Sequence, residues 1–326
     1  MTSLPLLFVV GVPRSGTTLL RELLSQHPRV GITPDELQGI PQLLSSLGTH
    51  PDFRSPETLE TVSRWVTRSN FQTHMDKKGI GFSQSLLADD LERRQVDSWE
   101  GFLRCFLSQF IPGVDSSGHS YVGDKTPNNL LAIEQIHRCV PNVRFIHIIR
   151  DPRDSSLSAR TVWGKSLYRA AARWRTYVDH YFDVIEDLQI ADKCHLVRYE
   201  DLVSSPEITL RGICHFLEVE YDPKMCSPRA AAEQLGDAAG ASNIVAGNTQ
   251  KFQSHLKPSE IKMVETVCFQ RMTTMGYPTK YAEAQKPVNK IRYCALGPSD
   301  LVRSTCSQIR QKGVFRGIAY RLRQIG

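Results

Sequence analysis

Residues 11–18 have the composition and spacing of a loop that binds an anion. Gly11 and Gly16 stand at the two glycine positions of the nucleotide-binding pattern G-x-x-x-x-G-K-[ST], and Thr18 stands at its hydroxyl position. An apolar run of strand length precedes the loop, and leucines at helical spacing follow it. A loop in this setting directs consecutive backbone N–H groups and a helix N-terminus at one anion. The pattern therefore predicts a cradle for a phosphate or a similar anion.

Two residues distinguish this loop from one that binds a nucleoside triphosphate. Thr17 occupies the position of the lysine that reaches the β- and γ-phosphates in such loops, and Arg14 lies inside the loop. This combination indicates an anion that is presented to the loop differently from the phosphates of a nucleoside triphosphate. The alternative is a P-loop kinase with a degenerate loop, which would depend on ATP and Mg²⁺.

The elements that must position this loop follow from the apolar patterning. Strands are predicted over residues 6–10, 30–32, 121–124, 143–149 and 194–197. Helices are predicted over residues 35–47, 56–68 with Ser55 as N-cap, 99–110, 155–190, 206–217 and 258–272, and Asn128 or Asn129 is expected to cap another that ends near residue 140. Strands that alternate with helices indicate an α/β fold with a parallel sheet covered on both faces.

Four polar residues come directly after predicted strands or at their ends, namely Arg14, Lys125, Arg150 and Tyr199. Ligands of parallel sheets bind at the carboxyl ends of the strands. We therefore expect these side chains to converge on one edge of the sheet. His147, in the middle of a predicted strand, is expected to be a core residue instead.

The chain is expected to form one domain over residues 1–285 and a basic, partly helical tail over 286–326. Residues 42–118 are predicted to be a mostly helical excursion from the sheet that shapes a substrate pocket, although 70–96 has little pattern. The tail holds nine Lys and Arg against one acid, a net charge of +8, so the rest of the chain carries −2.

The end of the tail, residues 309–325, mixes apolar side chains with cations. This pattern fits an amphipathic helix that docks on an anionic membrane or an acidic partner, or else a solvated appendage. Aromatic residues are too sparse for a nucleic-acid groove, so no nucleic-acid partner is expected.

Composition excludes several classes of protein. The hydrophobic content of 40% and charged content of 23% are those of a soluble globular chain. The first apolar run is too short to span a bilayer and leads into the glycine loop, so we expect a buried strand rather than a signal peptide. The eight cysteines are scattered without a C-x-x-C pair, so neither zinc nor a disulfide framework is expected.

The anion loop resembles a known family. Its residues Pro13, Arg14, Ser15, Gly16, Thr17 and Thr18 are similar to the 5′-phosphosulfate loop of sulfotransferases that use 3′-phosphoadenosine 5′-phosphosulfate (PAPS), in the bacterial and tyrosylprotein-sulfotransferase-like branch. The resemblance implies a P-loop-like sulfotransferase fold, PAPS as donor, adenosine 3′,5′-bisphosphate (PAP) as product, and no metal. Golgi members usually carry a membrane anchor before this loop, for which this chain has no room. We therefore expect a cytoplasmic, bacterial protein, peripheral at the membrane if its tail docks there.

The segment from residue 145 to 158 is similar to the family's 3′-phosphate-binding segment. By position, the resemblance implies that Arg150 and Ser158 hold the 3′-phosphate of PAPS, as guanidinium and hydroxyl donors can. The alternative for Arg150 is an ion pair with Asp151 or Asp154. Arg160 is a further candidate for binding this phosphate.

Two more residues are implied in cofactor binding. Tyr199 in Arg-Tyr-Glu-Asp-Leu resembles the tyrosine of the family's Tyr-Glu-Asp-Leu motif, which packs near the adenine or the 3′-phosphate. Lys251 lies in a segment that loosely resembles the loop closing the nucleotide site, and it is expected to reach the 3′-phosphate.

Sulfuryl transfer needs cations at the reacting group and a base for the acceptor proton. Lys125, in Asp-Lys-Thr-Pro, resembles the family's lysine near the transferred group, and Arg14 is expected to assist it. The base in tyrosylprotein-like members is a glutamate after the second strand. Counting from Arg14 favours Asp35, whereas counting back from Pro41 favours Glu36, which we prefer for its reach. The alternative is that both carboxylates only complement the dipole at a helix start.

The resemblance thus implies in-line transfer of a sulfuryl group from PAPS to a hydroxyl, less readily to an amine. The acceptor, whether a small-molecule phenol, a glycan, a lipid or a peptide tyrosine, stays open. An anion loop of this kind also fits two other functions. One is phosphoryl transfer by a P-loop kinase, and the other is binding of adenosine bisphosphate by a non-catalytic module.

Overall fold

The computed structural model of the chain describes residues 4–113, 121–228, 239–241 and 243–312. Within these ranges, five strands form one parallel sheet in the order β2-β3-β1-β4-β5. The strands are β1 (Leu6–Gly11), β2 (Val30–Ile32), β3 (Tyr121–Lys125), β4 (Val143–Ile149) and β5 (Cys194–Arg198). All five predicted strands are confirmed, and their carboxyl ends lie along one edge.

Helices cover both faces of this sheet. In chain order the α-helices of the described ranges are α1 (Thr17–Leu24), α2 (Ile40–Leu47), α3 (Pro56–Arg68), α4 (Asn70–Asp76), α5 (Gln84–Arg93), α6 (Trp99–Ser108), α7 (Ile133–Cys139), α8 (Pro152–Trp163), α9 (Leu167–Leu188), α10 (Tyr199–Ser204), α11 (Pro206–Phe216), α12 (Phe252–His255), α13 (Pro258–Thr274), α14 (Lys290–Ala295) and α15 (Gly297–Lys312). Alternate residues of β1 enter separate cores, Phe8 one core and Leu7 the other. The predicted α/β class with both sheet faces covered is therefore confirmed.

Within the predicted excursion, which the structure describes up to residue 113, the chain forms helices α3 to α6 and the end of α2. Helices α4 and α5 form within the stretch that has little pattern in the sequence. Aromatic side chains pack face to face and edge to face inside the excursion, with Phe102 and Phe106 stacked at a centroid distance of 6.0 Å. Because Ser55 accepts a hydrogen bond from the Thr58 amide, α3 begins where the sequence predicts.

Two local predictions were wrong. The helix predicted from residue 35 begins at Ile40, because Gly39 is left-handed at φ 104° and ends the preceding turn. Asp35 and Glu36 therefore lie in a loop, and the interpretation as helix-start carboxylates is excluded. Helix α7 begins at Ile133 after a 3₁₀ turn, so neither asparagine caps it.

His147 is a core residue, as the sequence predicts. Its imidazole is fully buried in β4, and its ring centroid lies 4.2 Å from that of Tyr181. Both ring nitrogens lack a hydrogen-bond partner. Burial lowers the pKa of His147 from 6.5 to about 3, because the charged imidazolium would be desolvated without compensation.

We expect His147 to make the protein sensitive to acid. Since its folded pKa lies below its unfolded value, its contribution to stability is complete above pH 6.5 and is lost as the pH falls towards 3. The loss should reach roughly 3–5 kcal/mol by pH 3. Urea unfolding of wild type and His147→Phe across this pH range measures it. The stability of the variant should fall less steeply, whereas His50→Gln, at an exposed position, should follow wild type; parallel curves for His147→Phe and wild type would contradict the assignment.

No helix in the described part of the chain is long and apolar enough to cross a membrane.

Candidate functional site

The anion loop connects β1 to α1 and is packed against the start of α10. Gly16 is left-handed at φ 93°, and a Cβ on it would lie 2.3 Å from Cδ2 of Tyr199. A Cβ on Gly11 would lie 2.5 Å from the carbonyl oxygen of Ile148. The two glycines are therefore required because a tyrosine ring and a neighbouring strand approach the backbone too closely for any side chain.

The loop contains a buried hydroxyl group that forms no hydrogen bond within the protein. The Oγ atom of Ser15 is fully buried and has no hydrogen-bond partner. Buried hydroxyls in folded proteins are nearly always satisfied. An orphaned hydroxyl in a loop that opens a helix fits an absent anion such as a phosphosulfate.

Arg14 extends from this loop towards α8. Its Nε donates to Oγ of Ser158 at 3.2 Å, and its guanidinium carbon lies 5.6 Å from the centroid of the Trp163 ring. The structure thus brings together two residues that the sequence predicted at the donor site, although they lie 144 residues apart.

Arg150 follows β4 and is only 6% exposed. Its guanidinium lies 4.4 Å from the centroid of the Tyr199 ring and donates to the carbonyl of Asn248 at 2.7 Å. Its Nε is buried without a partner, which leaves a donor for a phosphate oxygen. Asp151 pairs with Arg153 at 2.6 Å rather than with Arg150, so the ion pair with Asp151 that the sequence left open is not formed.

Asn248 is a site residue that sequence reasoning missed. It is buried, and its side-chain amide donates to the Tyr199 hydroxyl at 2.8 Å while its carbonyl accepts from Arg150. The resemblance pointed to its segment through Lys251, but no spacing within that segment distinguishes Asn248 from its neighbours. Only the fold brings this loop, 49 residues beyond Tyr199, against the ring.

Lys125 and Glu36 form the second cluster of the site. The ammonium of Lys125 contacts Oε1 of Glu36 at 2.9 Å and donates to Oγ1 of Thr18 at 3.4 Å. The Lys125 side chain is 5% exposed and that of Glu36 31%. The Lys125 ammonium therefore links Thr18, in the first turn of α1, to the Glu36 carboxylate, which solvent or an acceptor can reach.

Asp35 faces away from this pair towards the helical excursion. Its Oδ2 lies 2.8 Å from Nδ1 of His74 on α4, and its Oδ1 accepts from the Glu36 amide at 2.8 Å. The ammonium of Lys78 also donates to the carbonyl of Pro34 at 2.9 Å. The excursion thus holds the loop that carries Glu36, which the sequence did not reveal.

Asp124 is a further residue that the sequence analysis did not select. It is fully buried, and its Oδ1 accepts from the Thr33 hydroxyl at 2.9 Å and the Leu37 amide at 3.1 Å. Its Oδ2 accepts from the Asn129 amide at 3.1 Å. Burial raises the pKa of Asp124 to about 6, against the hydrogen bonds that lower it. This carboxyl group ties β3 to the loop on both sides of Glu36.

Two further residues were predicted as phosphate ligands, Arg160 and Lys251. Arg160 pairs with Glu260 of α13 at 2.8 Å. Lys251 lies immediately before α12 and three residues from Asn248. Among the described residues, no group of three or more His, Cys, Asp and Glu side chains is arranged to hold a metal ion.

A parallel sheet, a glycine loop at its carboxyl edge and a buried arginine directly after the adjacent strand define a P-loop-like α/β protein with a candidate anion site. The chain belongs to the sulfotransferase family, whose model matches residues 5–223.

Relatives with related names support this assignment. Protein-tyrosine sulfotransferase 1 of Danio rerio is 28% identical over 246 residues, which cover 73% of this chain and 59% of the relative. The human protein of the same name is 27% identical over 73% of this chain and 57% of its own length. Nodulation protein NoeE of Sinorhizobium fredii is 26% identical over 50% of this chain and 33% of its own. The chain spans less than two thirds of the length of each.

The fold is shared with a solved structure. The sulfotransferase domain from the curacin biosynthetic pathway superposes with a TM-score of 0.53 at 20% identity, covering 86% of this chain and all of that one.

Proposed function

We propose that this protein transfers a sulfuryl group from PAPS to an acceptor hydroxyl, less readily to an amine, and releases PAP. The observation that carries the proposal is the Glu36–Lys125–Thr18 cluster, with contacts of 2.9 and 3.4 Å. It sets a carboxylate and an ammonium group beside the first turn of the anion cradle. A donor held in the cradle would present its transferable group to both.

The donor fits the residues present. The orphaned Ser15 hydroxyl, together with the other residues from Pro13 to Thr18, would hold the 5′-phosphosulfate. The buried Arg150 with its unpartnered Nε would hold the 3′-phosphate with Ser158, and Lys251 would close over it. Tyr199 would support the nucleoside and orient Arg150. PAPS supplies a sulfuryl group already activated by a good leaving group.

The residues beside the cradle supply what transfer requires. Lys125 and Arg14 would stabilise negative charge that develops on the sulfuryl and bridging oxygens. As the acceptor oxygen forms its bond to sulfur, the bond from sulfur to the bisphosphate breaks and the acceptor proton passes to Glu36. Lys125 serves both steps because it contacts the base and the cradle at once. Asp124 and Asp35 hold the loop that carries the base.

The acceptor is proposed to enter over the helical excursion, since α4 contacts the loop of Glu36 through His74 and Lys78 follows it there. Some relatives are named protein-tyrosine sulfotransferases, so a peptide tyrosine is one acceptor to test beside phenols, glycans and lipids. A hydroxyl that Glu36 can reach is the feature these classes share.

The donor assignment is tested by calorimetric titration with PAP, adenosine 5′-monophosphate and ATP with Mg²⁺. PAP should bind at micromolar or lower Kd, tighter than the monophosphate by about 100-fold or more, because only PAP carries the 3′-phosphate that Arg150 would contact. Turnover is followed by transfer of label from [³⁵S]PAPS to an acceptor panel. Tight binding of ATP with Mg²⁺ and indifference to PAP would favour the kinase. PAP binding without transfer to any acceptor would favour a non-catalytic module.

A further inference from the structure

Helices α14 and α15 present apolar side chains to the outside of the molecule. Ile291 is 82% exposed, Val302 63% and Leu301 44%. Together with these, four more exposed residues complete what we call the outer stripe: Cys294, Ala295, Pro298 and Cys306. Within each helix these positions are adjacent or three to four residues apart, so they lie along one side of that helix.

The opposite side of α15 is polar and fixed to the protein. Asp300 is fully buried there and accepts from the Ser166 amide at 2.9 Å and from Arg169 at 3.2 Å. The Ser307 hydroxyl donates to the carbonyl of Val162 at 2.8 Å. A surface helix normally buries its apolar side. Here the buried hydrogen bonds of Asp300 orient the helix so that its apolar side faces outwards.

The segment that carries the outer stripe is basic. From Lys286 to Arg303 its exposed charged side chains are cations, Lys286, Lys290, Arg292 and Arg303, and Asp300 is buried; the nearest exposed acid before it along the chain, Glu283, lies eight residues before Ile291. The surface is therefore both apolar and positively charged, which is the combination that interfacial helices use on anionic lipids.

We propose that the outer stripe is a docking surface for an anionic lipid bilayer. The apolar side chains would enter the boundary between headgroups and acyl chains, and the flanking cations would pair with the headgroups. A second copy of the chain is the weaker candidate, because a two-fold contact of this surface with itself would bring the same cations together. The sequence-based expectation of membrane contact concerned residues 309–325, most of which lie outside the described residues. The proposal concerns the preceding helices and does not depend on the enzymatic activity.

The proposal is tested by sedimentation of the full chain with vesicles of phosphatidylcholine alone or of phosphatidylcholine mixed with phosphatidylglycerol. Binding is expected to the anionic vesicles and should weaken as salt is added. The double variant Ile291→Ser with Val302→Ser should reduce the partition coefficient by at least about tenfold. The matched control is the double variant Leu86→Ser with Ile208→Ser. Leu86 on α5 is 64% exposed and Ile208 on α11 is 75% exposed, so this variant should bind the vesicles like wild type.

Three results would overturn the proposal. Wild type could fail to bind anionic vesicles. The stripe variant could bind as tightly as wild type, which would assign any docking to another part of the chain. Sedimentation equilibrium could show a dimer that the stripe variant loses while lipid binding is unaffected, which would assign the surface to a second copy. Because both substituted side chains are exposed, the variant should keep the wild-type circular dichroism and Tm, which verifies that folding is intact.

Discussion

Replacement of Arg150 by alanine is expected to weaken the binding of PAP by about 100-fold or more, the largest effect on ligand affinity that we predict. Hydrogen bonds between charged partners contribute about 1.5–3 kcal/mol each, and a guanidinium forms more than one with a phosphate. Arg150 is buried and already oriented by Tyr199 and the Asn248 carbonyl, with Nε left for a ligand. Little of its binding free energy would therefore be lost in ordering the side chain.

Calorimetry with two ligands separates phosphate recognition from general damage. In Arg150→Ala the preference of wild type for PAP over adenosine 5′-monophosphate should disappear, while the monophosphate binds nearly as before. Arg150→Lys should fall between, because an ammonium keeps the charge but not the planar fork. Arg138→Ala, whose arginine is exposed on α7 and paired with Glu134, is the matched control and should bind PAP like wild type. An equal loss for both ligands would mean that Arg150 supports the fold of the site rather than the 3′-phosphate.

Glu36→Gln is expected to lower kcat by about 10²–10⁴-fold while PAP binding stays within about threefold of wild type. The amide keeps the size of the side chain but cannot take the acceptor proton. Asp35→Asn should lower kcat by about tenfold or less, since Asp35 is engaged with His74 and the Glu36 amide and would act by holding the loop. Single-turnover rates with [³⁵S]PAPS and an active acceptor measure both effects.

Comparison of the two carboxylates decides the identity of the base. If Asp35→Asn lowers kcat by about 10²–10⁴-fold and Glu36→Gln keeps most of the wild-type kcat, then Asp35 is the base and our assignment is wrong. Removal of the Glu36 charge also leaves the nearly buried Lys125 ammonium without its ion-pair partner. Thermal melts of each variant, with and without PAP, therefore accompany the kinetics. A variant that no longer binds PAP reports on damage to the site rather than on proton transfer.

The sequence predicted the sheet and the glycine loop between β1 and α1 well because their signals are local. An apolar run such as Val143–Ile149 is buried on both sheet faces, so its strand character shows in adjacent residues. The glycines at positions 11 and 16 are similarly visible, since close approach of other atoms forbids a side chain. Convergence of Arg150 and Lys125 on one edge followed from the parallel topology alone.

Predictions that depended on the ends of helices were less successful. The apolar pattern before α2 extends past its true start, and the left-handed Gly39 decides that Asp35 and Glu36 lie in a loop. Helices α4 and α5 lack a clear pattern because their stability comes from packing within the excursion rather than from their own sequence. His74 on α4 could not be connected to Asp35 by any spacing.

By itself, then, the sequence determined the fold class and the anion loop, because strand periodicity and glycine positions are properties of neighbouring residues, and its resemblance to sulfotransferases implied most of the candidate side chains. Tertiary structure alone decided which of these side chains contact one another. It paired Glu36 with Lys125, turned Asp35 towards His74, brought Asn248 to Tyr199 and directed the apolar side of α15 outwards. The three contacts join segments far apart in the chain, and the orientation of α15 depends on distant residues as well. Their geometry depends on how whole helices and loops pack, which no local pattern encodes.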